Sequence, residues 1–111
     1  MKDKILDLII IGAGPAGITA AIYAFRKNLN FVLIGAERGG QVSKAFTIEN
    51  YPGFLKISGL ELTEKFFNHL RGLKIEPLAD EVVEIKKKED LFKVVLRSGE
   101  IFQARSILVA S

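Results

Sequence analysis

The chain has 111 residues, enough for one ordinary domain with a buried core. Hydrophobic residues make up 49% and charged residues 26%, which is typical of a globular protein and excludes a disordered chain. The formal net charge is only +3, and the absence of cysteine excludes disulfides, cysteine–metal sites and a thiol redox centre within these residues. No apolar run approaches the roughly 20 residues that span a bilayer, and no signal peptide is evident. We therefore expect a cytoplasmic protein without membrane association.

The first predicted element is a strand that runs into a glycine-rich turn. Residues 5–11 are apolar except for Asp7, which predicts a strand buried on both faces of a parallel sheet. Gly12-x-Gly14-x-x-Gly17 follows and opens a helical pattern, the context of a dinucleotide-binding site. The first glycine allows the tight turn, the second leaves room for a pyrophosphate, and the third lets helix and strand pack closely. Amides at the helix start would attract the diphosphate. The alternative is a glycine-rich turn that only connects the strand to the helix.

The helix after this turn is predicted over residues 15–27, because proline suits the first turn of a helix. Ile18, Ile22 and Phe25 recur at helical spacing and predict the buried stripe. We accordingly expect Tyr23 and Phe25 to pack against the sheet rather than to stack on a ligand.

Phe31 to Ile34 predicts a second strand, which completes a βαβ unit. Residues 35–57 then show no convincing periodicity, although glycines alternate there with several large apolar residues. A loop of this length inside a compact domain is usually functional or disordered. Because it is so apolar, we expect it to fold over something.

A Ser-x-x-Glu capping box at Ser58 predicts the start of a second helix. This helix would run to about Arg71, with Gly72 as its C-terminal stop. Its apolar residues at four-residue spacing are Leu62, Phe66 and Leu70. Residues 73–76 could form a short third parallel strand. His69 has no cysteine, carboxylate or serine at catalytic spacing, so we assign it no role.

From Asp80 onward the pattern changes to alternation, which predicts an antiparallel meander with turns at residues 88–90 and 98–99. Residues 106–110 return to an apolar run and predict a buried strand that rejoins the parallel sheet. The lysines at 86–88 are flanked by acidic residues and predict a solvated hairpin tip. Without a broad basic face or interleaved aromatics, no nucleic-acid partner is expected.

Three motifs in a fixed order resemble a known family. Gly39-Gly40-Gln41 follows the glycine turn, then comes Glu49-Asn50-Tyr51-Pro52-Gly53, and Ile107-Leu108-Val109-Ala110-Ser111 follows the meander. Across essentially the whole chain, this order closely resembles the N-terminal FAD-binding segment of the low-molecular-weight thioredoxin reductase family. The resemblance implies an α/β, Rossmann-like FAD/NAD(P)-binding fold, apparently truncated, with a parallel sheet, a crossover helix and a small antiparallel meander. Residues 1–111 would be the N-terminal part of an FAD-binding domain.

The resemblance also implies contacts to FAD. The glycine turn would cradle the pyrophosphate, the loop after the second strand would follow the ribose and ribitol, and Asn50 would reach the flavin. Val82 would offer its backbone to the adenine. Ala110 and Ser111 match the first two positions of a family Ala-Thr-Gly turn, with serine replacing threonine. The residues of the turn are Gly12, Ala13, Gly14, Pro15, Ala16 and Gly17, and those of the loop are Glu37, Gly39, Gly40 and Gln41. No catalytic residue or metal ligand is assigned.

Some of these polar residues have simpler alternatives. Amides that both donate and accept suit polyol hydroxyls or the pyrimidine edge of a flavin. Gln41 could nevertheless be a surface residue, and Asn50 could make an Asx-turn. Glu37 follows the second strand, about 20 residues beyond the glycine motif, where a carboxylate would hold ribose hydroxyls. It could equally be a solvated charge, and its neighbour Arg38 has no specific assignment.

Measured against the family pattern, we expect these 111 residues to lack the NADPH-binding domain, the Cys-x-x-Cys pair and the C-terminal part of the FAD domain. The relay from hydride to flavin to disulfide needs these parts. We therefore expect an FAD-binding segment of an NAD(P)H-dependent flavoprotein oxidoreductase, inactive alone. The alternative is a stand-alone dinucleotide-binding or assembly module without redox activity. An open sheet edge and exposed apolar surface predict pairing with the remainder of the flavoprotein or self-association.

Overall fold

The computed structural model describes residues 4–36, 52–53 and 57–110. The strands in these ranges are β1 Ile5–Leu6, β2 Leu8–Ile11, β3 Phe31–Ile34, β4 Val82–Lys88, β5 Leu91–Leu96, β6 Ile101–Ala104 and β7 Ile107–Val109. The helices are α1 Pro15–Arg26 and α2 Gly59–Gly72. Neither helix has the length and apolar character needed to cross a membrane. Most of the loop predicted at 35–57 lies outside the described residues.

The strands form two sheets. The first is parallel and has the order β3-β2-β7, with Leu8 paired to Phe31 and Ile9 paired to Ile107. The second has the order β1-β6-β5-β4, in which β4, β5 and β6 are antiparallel and β1 joins β6 in parallel. The predicted Rossmann-like α/β arrangement with a crossover helix and an antiparallel meander is thereby confirmed.

The prediction of one strand over residues 5–11 is wrong, because the run divides at Asp7. The backbone N–H of Asp7 donates to the Asn30 carbonyl at 2.8 Å, and its carboxylate accepts from the Asn30 N–H at 2.8 Å. The Ser106 hydroxyl donates to the Asp7 carbonyl at 2.6 Å. These bonds hold a bend at Asp7, so the residues before it pair in one sheet and those after it in the other.

A different layer covers each face of the parallel sheet. On one face α1 and α2 pack against Ile10 and Leu33, and on the other the meander packs against Ile9 and Ile34. These four side chains are at most 1% exposed. Because both faces are covered, the central strands need apolar side chains at consecutive positions, as parallel strands generally do.

Helix α1 packs through small side chains. Its buried residues are Gly17, Ile18, Ala21 and Ala24. Phe25 is 41% exposed and Tyr23 is 60% exposed, so the prediction that these two rings pack against the sheet is wrong. The narrow glycine and alanine surface lets the helix lie close to the sheet, which leaves the rings on its flank and outer face.

Helix α2 begins at the predicted capping box. The Ser58 hydroxyl accepts from the Glu61 N–H at 3.0 Å, and the Ser58 N–H donates to the Glu61 carboxylate at 3.4 Å. Two orphan donors at the helix start are thereby satisfied. The helix ends at Gly72. Its buried side chains include Leu62 and Leu70 as predicted, but Phe67 is the buried aromatic, whereas Phe66 is only partly buried.

The third parallel strand predicted at 73–76 is wrong. The amides of Lys74 and Ile75 donate to carbonyls of the last turn of α2, at 3.0 and 2.9 Å, so they cap the helix instead of pairing with a strand. Lys74 adopts the left-handed conformation at φ 60°, which is common where a helix ends. Parallel pairing with β3 occurs later, as a single bridge between Ile34 and Leu78.

Strand β7 joins the parallel sheet as predicted but is not buried. Leu108 is 42% exposed and Val109 is 58% exposed. In the described part of the chain, β7 is an edge strand with β2 as its one neighbour. The apolar sequence therefore indicated the pairing correctly and the burial incorrectly.

Candidate dinucleotide-binding site

The backbone segments that follow the parallel strands meet at one edge of the sheet. The Gly12 N–H donates to the Ile34 carbonyl at 2.7 Å, which joins the turn after β2 to the end of β3. The Ala110 N–H donates to the Ile11 carbonyl at 2.8 Å, which joins the end of β7 to the same place. Ligands of open α/β sheets bind at this carboxyl edge.

The glycine turn leaves the start of α1 open to an anion. Gly12 has φ 118°, a conformation that side chains other than glycine rarely adopt. Gly14 is the N-cap residue and provides no side-chain cap, and the first turn of the helix contains no acidic residue. Because the first amides of a helix have no intrahelical acceptor, they can donate to a phosphate.

Gly17 allows a very close approach between α1 and the turn. A Cβ at this position would lie 1.7 Å from the Gly12 carbonyl oxygen and 2.9 Å from its carbonyl carbon. The sequence predicted a close helix–strand contact here. The nearest atom belongs to the turn instead, and the strand residue Ile10 is next, with its Cγ2 at 3.6 Å.

Gly35 is a second position of close approach, whereas the sequence pattern indicates only that it belongs to a long loop. A Cβ on Gly35 would lie 2.4 Å from the Ala13 Cβ and 2.9 Å from the Ala13 nitrogen. The turn after β2 and the turn after β3 therefore fit against each other only without a side chain at residue 35. The signal for this contact in the sequence is a glycine immediately after the second predicted strand.

An open groove of about 580 Å³ lies beside this contact. One side is formed by Ala13, Gly35 and Ala36, and the opposite side by α2 and the segment up to Ala79. Phe67, Ile75 and Pro77 give the groove apolar surface, and Arg71, Lys74 and Glu76 bring charges to it. Its volume falls in the range of about 300–1,000 Å³ that is usual for small-molecule sites.

A polar cluster anchors the segment that leads into Val82. Arg97 donates from Nε to a Glu81 carboxylate oxygen at 2.6 Å, and its Nη2 lies 2.6 Å from the same oxygen as an ion pair. The backbone N–H of Arg97 donates to the Glu81 carbonyl at 2.8 Å. The Asp80 carboxylate accepts from the Glu81 N–H at 2.7 Å. A hydrogen bond from the Ser98 side chain, assisted by the Glu81 amide, holds the pKa of Asp80 below its usual value.

We expect Asp80 to make the folded chain less stable as the pH falls below about 4. Its pKa is lower in the folded state than the ordinary 3.8, so the unfolded state binds the proton more readily. The stabilisation is present above the unfolded-state pKa and is lost as the pH falls through the folded-state pKa. Asp80→Asn should flatten this dependence in urea titrations at stepped pH. Ser98→Ala should raise the Asp80 pKa in a carboxyl NMR titration, and an unchanged value would contradict the assignment.

The structure brings together only part of the predicted site. The residues from Gly12 to Gly17 and Ala110 lie at the carboxyl edge, and Val82 packs beside the core cluster that includes Ile34. The predicted contacts that lie outside the described residues are Glu37, Gly39, Gly40, Gln41, Asn50 and Ser111. Their roles remain predictions. Within the described ranges, no group of three or more histidine, aspartate or glutamate residues could hold a metal.

The fold and the glycine turn are those of the Rossmann-like FAD/NAD(P)-binding fold class. Residues 6–111 match the family described as pyridine nucleotide-disulphide oxidoreductase. The chain belongs to this family.

Within the family, the similarity is to thioredoxin reductases. The chain is 41% identical to thioredoxin reductase of Bacillus subtilis over 113 aligned residues, covering 99% of this chain and 35% of the relative. A crystal structure of a ferredoxin-flavin thioredoxin reductase from Clostridium acetobutylicum matches with TM-score 0.90 and 38% identity, covering 97% of this chain and 38% of that one. The crystal structure of Lactococcus lactis thioredoxin reductase matches with TM-score 0.89 and 37% identity, and the match covers 96% of this chain and 35% of that one.

These comparisons confirm the resemblance to the N-terminal segment of the thioredoxin reductase family. The chain spans about a third of the length of the curated relatives it matches.

Proposed function

We propose that this chain is the FAD-binding segment of a thioredoxin-reductase-like flavoprotein. The observation that carries the proposal is the glycine turn, in which Gly12 has φ 118° and Gly17 leaves no room for a side chain. This geometry leaves the amides at the start of α1 available for a diphosphate. Similarity to a ferredoxin-flavin thioredoxin reductase supports FAD over other dinucleotides.

We assign the groove beside the turn to the adenosine half of the cofactor. Ala13 belongs both to the glycine turn and to the groove wall, so a ligand held by the turn would extend directly into the groove. Ala36 forms part of the same wall, and Glu37 follows it in sequence, where a carboxylate would accept from ribose hydroxyls. The backbone of Val82 would contact the adenine, held in place by the Glu81–Arg97 pair.

The role of this chain in the reaction would be to bind and orient the cofactor. When bound in the whole flavoprotein, FAD would accept hydride from NAD(P)H and pass electrons to a disulfide or a protein acceptor. The main-chain amides of the glycine turn would hold the diphosphate, and none of the described residues is assigned an acid, base or nucleophile role. We therefore expect no reductase activity from this chain alone.

In the part of the chain that the structure describes, the exposed edge at β7 favours a second candidate, an assembly module. Leu108 and Val109 expose apolar surface on a strand that carries no charge, whereas natural sheet edges are usually protected by charges or covered. The edge would pair with the remainder of a flavoprotein or with a second copy. Light scattering over a range of concentrations tests this candidate, since a monomer at every concentration would exclude self-association.

Titration of the purified chain with FAD tests the proposal. We expect flavin fluorescence to be quenched with saturation at one FAD per chain. FMN is the matched control, because it carries the same flavin without the adenosine diphosphate that the turn and the groove would hold. If FMN binds as tightly as FAD, the glycine turn does not bind the dinucleotide and the proposal fails.

A further inference from the structure

The meander presents a second surface that the proposed cofactor site does not use. Side chains alternate across its strands, so one side packs on the core through residues such as Val94 and Ala104. On the other side Lys86, Lys93, Gln103 and Ile5 follow one another in a single cross-strand row. We call the side that carries this row the outer face.

Apolar side chains lie exposed on the outer face. Ile5 is 40% exposed and Ile101, which pairs with Val95 in the next row, is 37% exposed. Val95 and Leu91 are half-buried and do not belong to either core cluster. A small depression of about 170 Å³ beside Leu91 and Lys93 adds relief to the face. The face therefore combines apolar area with lysines.

The charges on the outer face are poorly balanced. Lys86 stands directly opposite Lys93, and like charges in that position destabilise a sheet. Lys86 forms an ion pair with Glu84, whose carboxylate oxygen lies 3.4 Å from the Lys86 Nζ. Among the described residues, Lys93 and Lys88 form no ion pair. The unpaired charges form a cationic patch next to the exposed isoleucines.

Protection of a sheet edge does not explain this patch. Among the described strands β4 lies at an edge, and lysines on an edge prevent pairing with other chains. Strand β5, however, lies between β4 and β6, so Lys93 protects no edge. Edge protection therefore does not account for the pairing of Lys86 with Lys93.

We propose that the outer face docks an acidic protein surface with an apolar centre. Carboxylates of the partner would lie between Lys86 and Lys93 and cancel their repulsion, while apolar side chains would cover Ile5 and Ile101. A nucleic acid fits less well, because single strands bind by stacking on aromatic side chains. Phe92 alternates with Lys93 along β5, so its ring faces the opposite side of the sheet, with Lys87 Nζ 5.7 Å from its centroid.

The size of the outer face makes this a weak contact. Four strands spaced by about 4.8 Å extend roughly 15 Å, and strands of this length extend roughly 17 Å in the other direction. The area is well below the ~800 Å² that each partner contributes to a stable interface. Binding should therefore be transient and should weaken strongly with salt.

A designed peptide tests the proposal on the whole purified chain. The probe is a helical peptide with glutamates on one side and leucines on the other. Its binding is measured through the amide chemical shifts of the protein. We expect shifts confined to the outer-face strands, and an affinity at least about fivefold weaker in high salt than in low salt. The same peptide with serines for leucines should bind more weakly. Equal binding by an oligothymidine of equal charge would overturn the assignment to a protein partner.

Two lysine variants distinguish binding at the outer face from a nonspecific effect of the net charge. Lys93→Gln should weaken peptide binding about three- to tenfold, as loss of one rim charge does, and should raise the melting temperature by removing the repulsion. Lys87→Gln makes the same charge change on the other side of the sheet and should leave binding unchanged. Equal weakening by both variants would overturn the proposal. So would concentration-dependent shifts of the outer face without peptide, since a second copy would then be the occupant.

Discussion

Gly17→Ala is expected to lower the free energy of unfolding by at least about 3 kcal/mol, at or above the usual upper range for overpacking. The new Cβ would lie 1.7 Å from the Gly12 carbonyl oxygen, which is backbone and cannot rotate away as a side chain can. Either α1 or the turn must move, and both form the proposed diphosphate site. Urea denaturation followed by circular dichroism measures the loss, and FAD binding should disappear with it.

Gly72→Ala is the matched control for this variant. It makes the same chemical change at the last residue of α2, but nothing lies within 4 Å of the added Cβ. Since alanine favours a helix over glycine by about 1 kcal/mol, this variant should be as stable as the parent or more stable. If both variants unfold at the same urea concentration, the close approach at Gly17 is not what requires glycine.

Gly35→Ala is expected to cost about 2–3 kcal/mol and to weaken FAD binding, because overpacking displaces the neighbouring turn. The added Cβ would lie 2.4 Å from the Ala13 Cβ, so the turns after β2 and β3 would be pushed apart. This separation would widen the carboxyl edge at the point where Ala13 borders the groove. Denaturation and FAD titration measure the two effects on the same protein.

A second substitution tests whether Ala13 is the cause. Ala13→Gly removes the atom nearest to the new Cβ, so the double variant should recover part of the loss. Recovery should be incomplete, because the Ala13 nitrogen and Cα remain 2.9 and 3.2 Å from that position. A double-mutant cycle should give a coupling of at least about 1 kcal/mol. Strict additivity of the two changes would show that the strain arises elsewhere.

Local hydrogen bonding explains which elements could be predicted from the sequence. The capping box joins Ser58 to Glu61, three residues away, and needs no other part of the fold. The division of the first strand could not be predicted in the same way. It depends on Asn30 and Ser106, which are remote from Asp7 in sequence and approach it only in the folded chain.

Side-chain burial on α1 shows a similar limit. The spacing of Ile18, Ile22 and Phe25 predicts an apolar stripe, yet only Ile18 is fully buried. Several faces of this helix are apolar or small, so its periodicity does not determine which of them contacts the sheet. The close contact at Gly17 determines it instead, since the helix can approach the turn only on that side.

The candidate site could be predicted from the sequence at positions where the backbone conformation or packing allows only glycine. Gly12 and Gly17 are of this kind, and the structure gives a physical reason for each. The need for glycine at Gly35 was not predictable, because it arises from contact with Ala13, more than twenty residues earlier in the chain. Side-chain contacts such as those expected of Glu37 and Asn50 depend on a loop outside the described residues.

The pairing of β2 has a consequence for how the chain matures during synthesis. Ile9 lies between β3, which leaves the ribosome soon after it, and Ile107, which is made only after almost a hundred further residues. The nascent polypeptide must therefore keep one side of its most apolar strand unpaired throughout that interval. Pairings between such distant segments form slowly, and intermediates with open strands aggregate readily. We therefore expect the nascent chain to need protection by chaperones for as long as the meander is being translated.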